Sequence, residues 1–248
     1  MMGSLRCKDG NGHVVLQPRF NASTNNKGMG FMGLRVNIGC GQTPTRGWRN
    51  FDNSLSLRIL KIPLLPTMLQ KLGLLEGAQQ AFINYARENA IEFGDITNAL
   101  PLHDGSVEVL YSSHMLEHLD RSEATRFLQE AFRILRPGGI IRIAVPDLKK
   151  QIAHYNESGD AEAFMEATFL SVPRPRSLAQ KLRLLVVGTR HHQWMYDGAS
   201  LSALLRAHGF VAVEVTPSGQ TRIPDSGPLD ICERASESVY VEAEKPRT

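Results

Sequence analysis

Residues 34–52, Leu-Arg-Val-Asn-Ile-Gly-Cys-Gly-Gln-Thr-Pro-Thr-Arg-Gly-Trp-Arg-Asn-Phe-Asp, read as a buried strand, a glycine-rich turn and a second strand ending in a carboxylate, with only residues 39–48 between the two strands. That spacing constrains the fold more than any other feature. A crossover between parallel strands, helix included, needs about ten to twelve residues, so the first helix is expected to be about one turn. Val36 and Ile38 fill the strand. Gly39 and Gly41 lack the Cβ atoms that would keep a ligand away from the backbone, and Asp52 can accept two hydrogen bonds from ribose hydroxyls. A dinucleotide fingerprint would need a third glycine at the sixth motif position and an acid about twenty residues further on. Here Pro44 holds that position and Asp52 follows Gly41 by eleven residues, which disfavours a nicotinamide oxidoreductase. Alone, the turn is equally an ordinary glycine turn.

Three later segments add to it. They are Phe93-Gly94-Asp95-Ile96, then Leu100 to Leu119 with Ser112-Ser113-His114-Met115-Leu116-Glu117-His118 near its end, and then Leu135-Arg136-Pro137-Gly138-Gly139. In this order and spacing the chain resembles the class I S-adenosylmethionine-dependent methyltransferases, most closely the type 11-like branch with a Leu-Glu-His segment after its fourth strand, and is similar to bacterial methyltransferases associated with glycan assembly. The resemblance covers roughly residues 34–148 and thins out to residue 243. It implies a Rossmann-like α/β fold, a seven-stranded and mostly parallel sheet with an antiparallel edge strand and helices on both faces. It also implies S-adenosylmethionine as cofactor and S-adenosylhomocysteine as product.

The resemblance assigns roles residue by residue. Gly39, Cys40 and Gly41 would face the methionyl end, where amides near a helix start can meet a carboxylate. Asp52 would hold the ribose, Asp95 would accept from the exocyclic amine of adenine, Ile96 would pack on the ring, and Ser112 and Ser113 would line the cofactor floor. Cys40 is not expected to act as a nucleophile, because methyl transfer needs no covalent enzyme intermediate. His114 is the best-placed general base. His191 and His192 come from the segment that usually covers the acceptor and would supply substrate contacts or a base. Glu117 and His118 read as structural, and no metal is expected, since neither His-x-x-x-His nor His-Glu-x-x-His occurs.

The remaining pattern is that of alternating β/α winding. A helix over about 76–89 leads into a strand at 91–93, and a strand at 107–111 precedes a helix opened by Asp120, with Glu123 completing a capping box. Ala124, Phe127, Leu128, Ala131, Phe132 and Leu135 share one face of that helix, Pro137-Gly138-Gly139 ends it, and a strand follows at 140–145. A further amphipathic helix ends at Gly209 before strands at 210–215 and 239–243. At 248 residues the chain reads as one methyltransferase domain, 34–248, behind a disordered leader, 1–33, with insertions at about 54–75 and 150–196.

Composition excludes some partners. No apolar run reaches the eighteen or so residues that a membrane span needs, and a net charge of +3 is too small to argue for nucleic acid. Three widely spaced cysteines, Cys7, Cys40 and Cys232, suggest neither a disulfide framework nor a metal site and fit a reducing cytoplasm. From Ala167 to Tyr196 there is no Asp or Glu, while Arg174, Arg176, Lys181, Arg183 and Arg190 are all positive. This is either a solvated basic face or a draw for an anionic sugar or lipid-linked glycan. The expected reaction is in-line methyl transfer to a small polar acceptor, a hydroxyl of a sugar or anionic glycan precursor. The alternatives are a non-catalytic S-adenosylmethionine-binding sensor or partner subunit and, less favoured, a lipid or quinone methyltransferase.

Overall fold

The structure, a computed structural model, describes residues 6–8, 14–16, 33–54, 57–58, 68, 77–170 and 191–247. Within the stretch expected as a leader, β1 (Arg6–Lys8) and β2 (Val14–Leu16) pair antiparallel as a separate ribbon. The main sheet comprises β3 (Leu34–Ile38), β4 (Arg49–Asp52), β5 (Ile91–Phe93), β6 (Val107–Ser113), β7 (Leu135–Pro146), β8 (Val211–Thr216) and β9 (Ser238–Glu244). Its order is β5-β4-β3-β6-β7-β9-β8. The five strands from β5 to β7 pair in parallel, and β9 runs antiparallel to both β7 and β8, so the reversed pairing is confined to one edge. This is the seven-stranded, mostly parallel architecture that the sequence predicts. The helices whose bounds fall among the described residues are α1 (Gly77–Glu88), α2 (Arg121–Ile134), α3 (Leu148–Ser158), α4 (Ala161–Thr168) and α5 (Gly198–Ala207), and Leu116–His118 form a 3₁₀ turn.

Helix α2 forms where its sequence signals it. The Asp120 carboxylate accepts from the Glu123 amide at 2.7 Å, and the Glu123 carboxylate accepts from the Asp120 amide at 2.9 Å, satisfying two of the donors left open at a helix start. Ala124, Phe127, Leu128, Ala131 and Ile134 of α2, with Leu201, Leu204 and Leu205 of α5, pack on Val36, Ile38, Leu110, Ile141 and Ile143 of the sheet. The helix stops one residue earlier than its apolar spacing suggests. Leu135 already has extended geometry, with φ −66° and ψ 136°, and Pro137-Gly138-Gly139 lie inside β7 rather than before it.

The opposite face is built differently, and the short crossover is the reason. Residues 39–48 contain turns and no helix, contrary to the expected single helical turn. Coil from 39–48 and from 217–237 covers the sheet there, with α1 reaching only the β4–β5 end through Ala86 and Ile91. Coil brings unpaired backbone groups against the sheet, and those need partners. The strands supply them. Register places Asn50 of β4, Asn37 of β3, Tyr111 of β6, Arg142 of β7 and Glu242 of β9 in one row across the sheet, each at most 5% exposed.

Each member of the row grips coil. Asn37 donates to the Thr43 carbonyl at 3.1 Å, and Asn50 donates to the Thr45 and Trp48 carbonyls at 3.0 Å. The Tyr111 hydroxyl donates to Glu233 at 3.0 Å. Arg142 donates to the carbonyls of Gln220 and Ile231, both at 3.0 Å, and pairs with Glu242 at 2.6 Å, both side chains being fully buried. Glu242 in turn accepts from the Arg222 amide at 2.8 Å. Arg35, on the same face, donates to the carbonyls of Pro224 and Asp225.

Several expectations fall outside the described residues. Of the segment expected as an insertion at 54–75, Leu57 is buried, and most of the rest is not described; the basic residues between 171 and 190 are likewise outside. Cys40 is a free, buried thiol, whereas Cys232 is disulfide-bonded, which corrects the expectation of unpaired cysteines and removes the argument for a reducing compartment that rested on them. Among the described residues no helix is long and apolar enough to cross a membrane.

The Arg142–Glu242 pair yields the first prediction. Removing one partner of a buried ion pair leaves the other uncompensated and typically costs about 3–5 kcal/mol. Glu242→Gln should therefore lower the unfolding free energy from urea denaturation by an amount in that range, and a loss below about 1 kcal/mol would show that the pair does not hold the coil.

Candidate active site

The residues expected to bind the cofactor converge at the carboxyl ends of β3, β4, β5 and β6. The strand order reverses direction between β3 and β6, the position where open α/β sheets bind ligands. The turn after β3 is held by β4. The Gly39 and Cys40 amides both donate to the Phe51 carbonyl, at 2.8 and 3.1 Å, and the Gly41 amide donates to Oδ2 of Asp52 at 3.1 Å. All three amides are thus committed within the protein, and no helix starts there. The expectation that they meet a carboxylate beside a helix N-terminus is corrected accordingly.

The two glycines have different causes. Both have positive φ, +71° at Gly39 and +48° at Gly41, a region that side chains with a Cβ avoid. A Cβ on Gly39 would lie 2.5 Å from Cγ of Met115, so this glycine admits a side chain from the segment after β6. A Cβ on Gly41 would meet nothing within 4 Å. The open cradle is therefore at Gly41.

Asp52 fits a ribose. Its Oδ1 accepts from the Ser54 amide at 2.8 Å and its Oδ2 from Gly41, so each oxygen is fixed by one backbone donor and keeps a second lone pair for a hydroxyl. Asp95 closes an Asx turn, accepting from Thr97 and from the Asn98 amide, and lines a cleft of about 440 Å³ with Arg58, Phe93, Asn98 and Pro101. Ile96 sits in the main core at 3% exposure and does not line that cleft. Burial and the neighbouring Asp52 push the Cys40 thiol up to about 12, which keeps it protonated and inert as a nucleophile.

Ser112 and Ser113 close β6, and their hydroxyl oxygens are buried without a partner among the described residues. His114 then takes φ +48°, a left-handed conformation that a non-glycine residue adopts at a cost of about 1–3 kcal/mol and that clusters at functional positions. The chain turns sharply there, sending Met115 to Gly39 and opening the turn Leu116–His118. Nε2 of His114 lies 2.8 Å from the Ser238 hydroxyl, and Nδ1 accepts from Arg234 at 3.3 Å. Both ring nitrogens are engaged, so His114 is held in place rather than free.

His191 and His192 arrive from the other side. The Gln193 and Trp194 amides donate to the Glu117 carbonyl at 2.7 and 3.2 Å, and Nδ1 of His118 lies 3.1 Å from the His191 carbonyl. The His192 ring packs edge-on against His118 with centroids 5.0 Å apart. Burial lowers the His192 pKa. All three histidines expected on the acceptor side thus surround Glu117 and His118, which local spacing marked only as structural.

Comparison with known proteins gives the following similarities. Residues 36–143 match the methyltransferase domain family. A probable S-adenosylmethionine-dependent methyltransferase of Mycolicibacterium smegmatis is 42% identical over 48 residues, 19% of this chain and 18% of the relative. An uncharacterized 37.1 kDa protein from a Streptomyces fradiae transposon is 29% identical over 97 residues, 39% of this chain and 27% of the relative. The matches therefore span less than a third of either curated relative. A solved S-adenosylmethionine-dependent methyltransferase of Methanosarcina mazei is 15% identical, covering 87% of this chain and 93% of that one with a TM-score of 0.48. Residues 36–143 thus match a methyltransferase domain, and they lie within the mostly parallel, Rossmann-like sheet.

Two substitutions separate the roles of the turn. Asp52→Ala should weaken S-adenosylhomocysteine binding at least tenfold in a calorimetric titration, since each charge-assisted bond contributes roughly 1.5–3 kcal/mol; unchanged affinity would remove the ribose assignment. Gly39→Ala should lower the melting temperature through the Met115 clash more than Gly41→Ala does, and the reverse order would disprove the distinction.

Proposed function

We propose that the protein moves a methyl group from S-adenosylmethionine to a small polar acceptor, a hydroxyl of a sugar or anionic glycan precursor. When bound, the cofactor supplies an electrophilic methyl group and leaves as S-adenosylhomocysteine. Asp52 grips the ribose, Asp95 faces the adenine, and the open side of Gly41 receives the methionyl portion. The acceptor enters over the carboxyl end of β6, between His114 and the 191–196 segment.

The observation that carries this reading is the segment after β6. Enzymes that methylate amines of bases or amides typically place Asn or Asp there, followed by Pro-Pro and an aromatic residue. This chain has Ser112-Ser113-His114-Met115, with His114 locked by Ser238 and Arg234. Locked groups suit positioning. Orienting two reactants can supply roughly 7–11 kcal/mol of a barrier, more than the 3–5 kcal/mol that a positioned base adds through its 10²- to 10⁴-fold effect. The absence of acidic residues from Ala167 to Tyr196 supports an anionic acceptor.

The test is transfer itself. Full-length protein incubated with methyl-labelled cofactor and a panel of phosphorylated, uronic and nucleotide-linked sugars should label a hydroxyl of one class. Tight cofactor binding without transfer to any acceptor would favour a sensor or partner subunit instead. With the accepted substrate, His114→Ala should lower kcat at least tenfold while leaving S-adenosylhomocysteine affinity within about twofold, and unchanged turnover would remove His114 from the acceptor side.

A further inference from the structure

Glu117 is a buried acid. It is 1% exposed, and neither carboxylate oxygen has a hydrogen-bond partner among the described residues. A buried carboxylate without compensation costs several kcal/mol, so something must meet it. Among the described residues no neighbouring group donates to it. Nδ1 of His114 is 3.4 Å from Oε1, yet it also lies 3.3 Å from the Arg234 guanidinium, which can only donate, so that nitrogen gives its lone pair to Arg234 and brings no proton to the carboxylate. Nε2 of His192 is 3.9 Å away, beyond hydrogen-bond distance.

Lone pairs converging on an anion in a buried space describe a cation site. We propose that Glu117, His118 and His192 bind a divalent transition metal, with zinc the best match, at the carboxyl end of β6. The three side chains each offer one donor atom, all within 4.8 Å of one another. A tetrahedral zinc ion with bonds of about 2.0–2.1 Å needs donors roughly 3.3–3.4 Å apart, so the 3.9 Å between Glu117 and His192 closes with a small side-chain rotation.

The surroundings orient these donors. Nδ1–H of His118 donates to the His191 carbonyl at 3.1 Å, which fixes the tautomer and leaves Nε2 free to ligate, as the outer partners of metal-bound imidazoles do. The Glu117 carbonyl anchors the segment carrying His192 through Gln193 and Trp194. Two nitrogens and one carboxylate oxygen leave a coordination position for water or an acceptor oxygen, the arrangement of an open zinc site. A site of this kind would bind and polarise an oxygen rather than brace the fold.

The metal alone is the probe. Untagged full-length protein, stripped with a chelator and titrated with Zn²⁺ against a chromophoric competitor, should bind one equivalent with a Kd below about 1 µM; Glu117→Gln and His192→Ala should each weaken it by about 100-fold, while His103→Ala, outside the cluster, should not. Co²⁺ in place of zinc should give the intense visible bands of a tetrahedral site in the unaltered protein and lose them in His192→Ala. Circular dichroism checks that each variant folds; if Glu117→Gln does not, His192→Ala decides. No binding tighter than about 0.1 mM, or binding indifferent to His192→Ala, would overturn the site. Neither result depends on methyl transfer, so the metal site and the methyltransferase reading stand or fall separately.

Discussion

A row of polar side chains buried across the middle of the sheet, Asn50, Asn37, Tyr111, Arg142 and Glu242, holds this structure together in a way that apolar packing alone would not. Sheets covered by helices on both faces usually carry apolar side chains on both. Here one face follows that rule, with α2 and α5 against Val36, Leu110 and Ile141. The other meets coil. Coil against a sheet is tolerable only if its carbonyls and amides find partners, and the polar row supplies them at Thr43, Thr45, Gln220 and Ile231. The charge pair at one end of the row is a condition of this arrangement rather than a surplus, because Arg142 spends further donors on two loop carbonyls.

The short crossover that created this face also shaped the cofactor site. With no helix after β3, the turn closes directly onto β4: Phe51 takes two amides and Asp52 takes the third. Under the proposed function, cofactor binding rests on the Asp52 lone pairs and the unfilled space at Gly41 instead of a helix N-terminus. Gly39 does a different job. By admitting Met115 it packs the segment after β6 against the turn.

That segment shows how one backbone outlier can assemble a site. The left-handed His114 swings the chain off β6, and the following 3₁₀ turn drops Glu117 into the interior. Residues 191–194 then close over it through the Glu117 carbonyl. The result is a histidine-rich cluster around one carboxylate.

Alternation, glycine placement and capping residues were enough to read the strands from β3 to β9 and helix α2 with its Asp120 box, because each is set by neighbours in the chain, whereas the candidate roles of Gly41, Asp52 and Asp95 came from the family resemblance. The polar row was present in the same letters, as Arg35, Asn37, Asn50 and Arg142 interrupting otherwise apolar strands, but its meaning requires register and the loop that lies against it. Ile96 shows the same limit, since only packing reveals that its side chain serves the core. The cluster of Glu117, His118 and His192 joins positions more than seventy residues apart, and no local spacing could signal it. Local chemistry determined the elements and the cofactor turn; tertiary structure alone decided which polar groups would be buried together, since burial is set by contacts across the sheet and not by sequence neighbours.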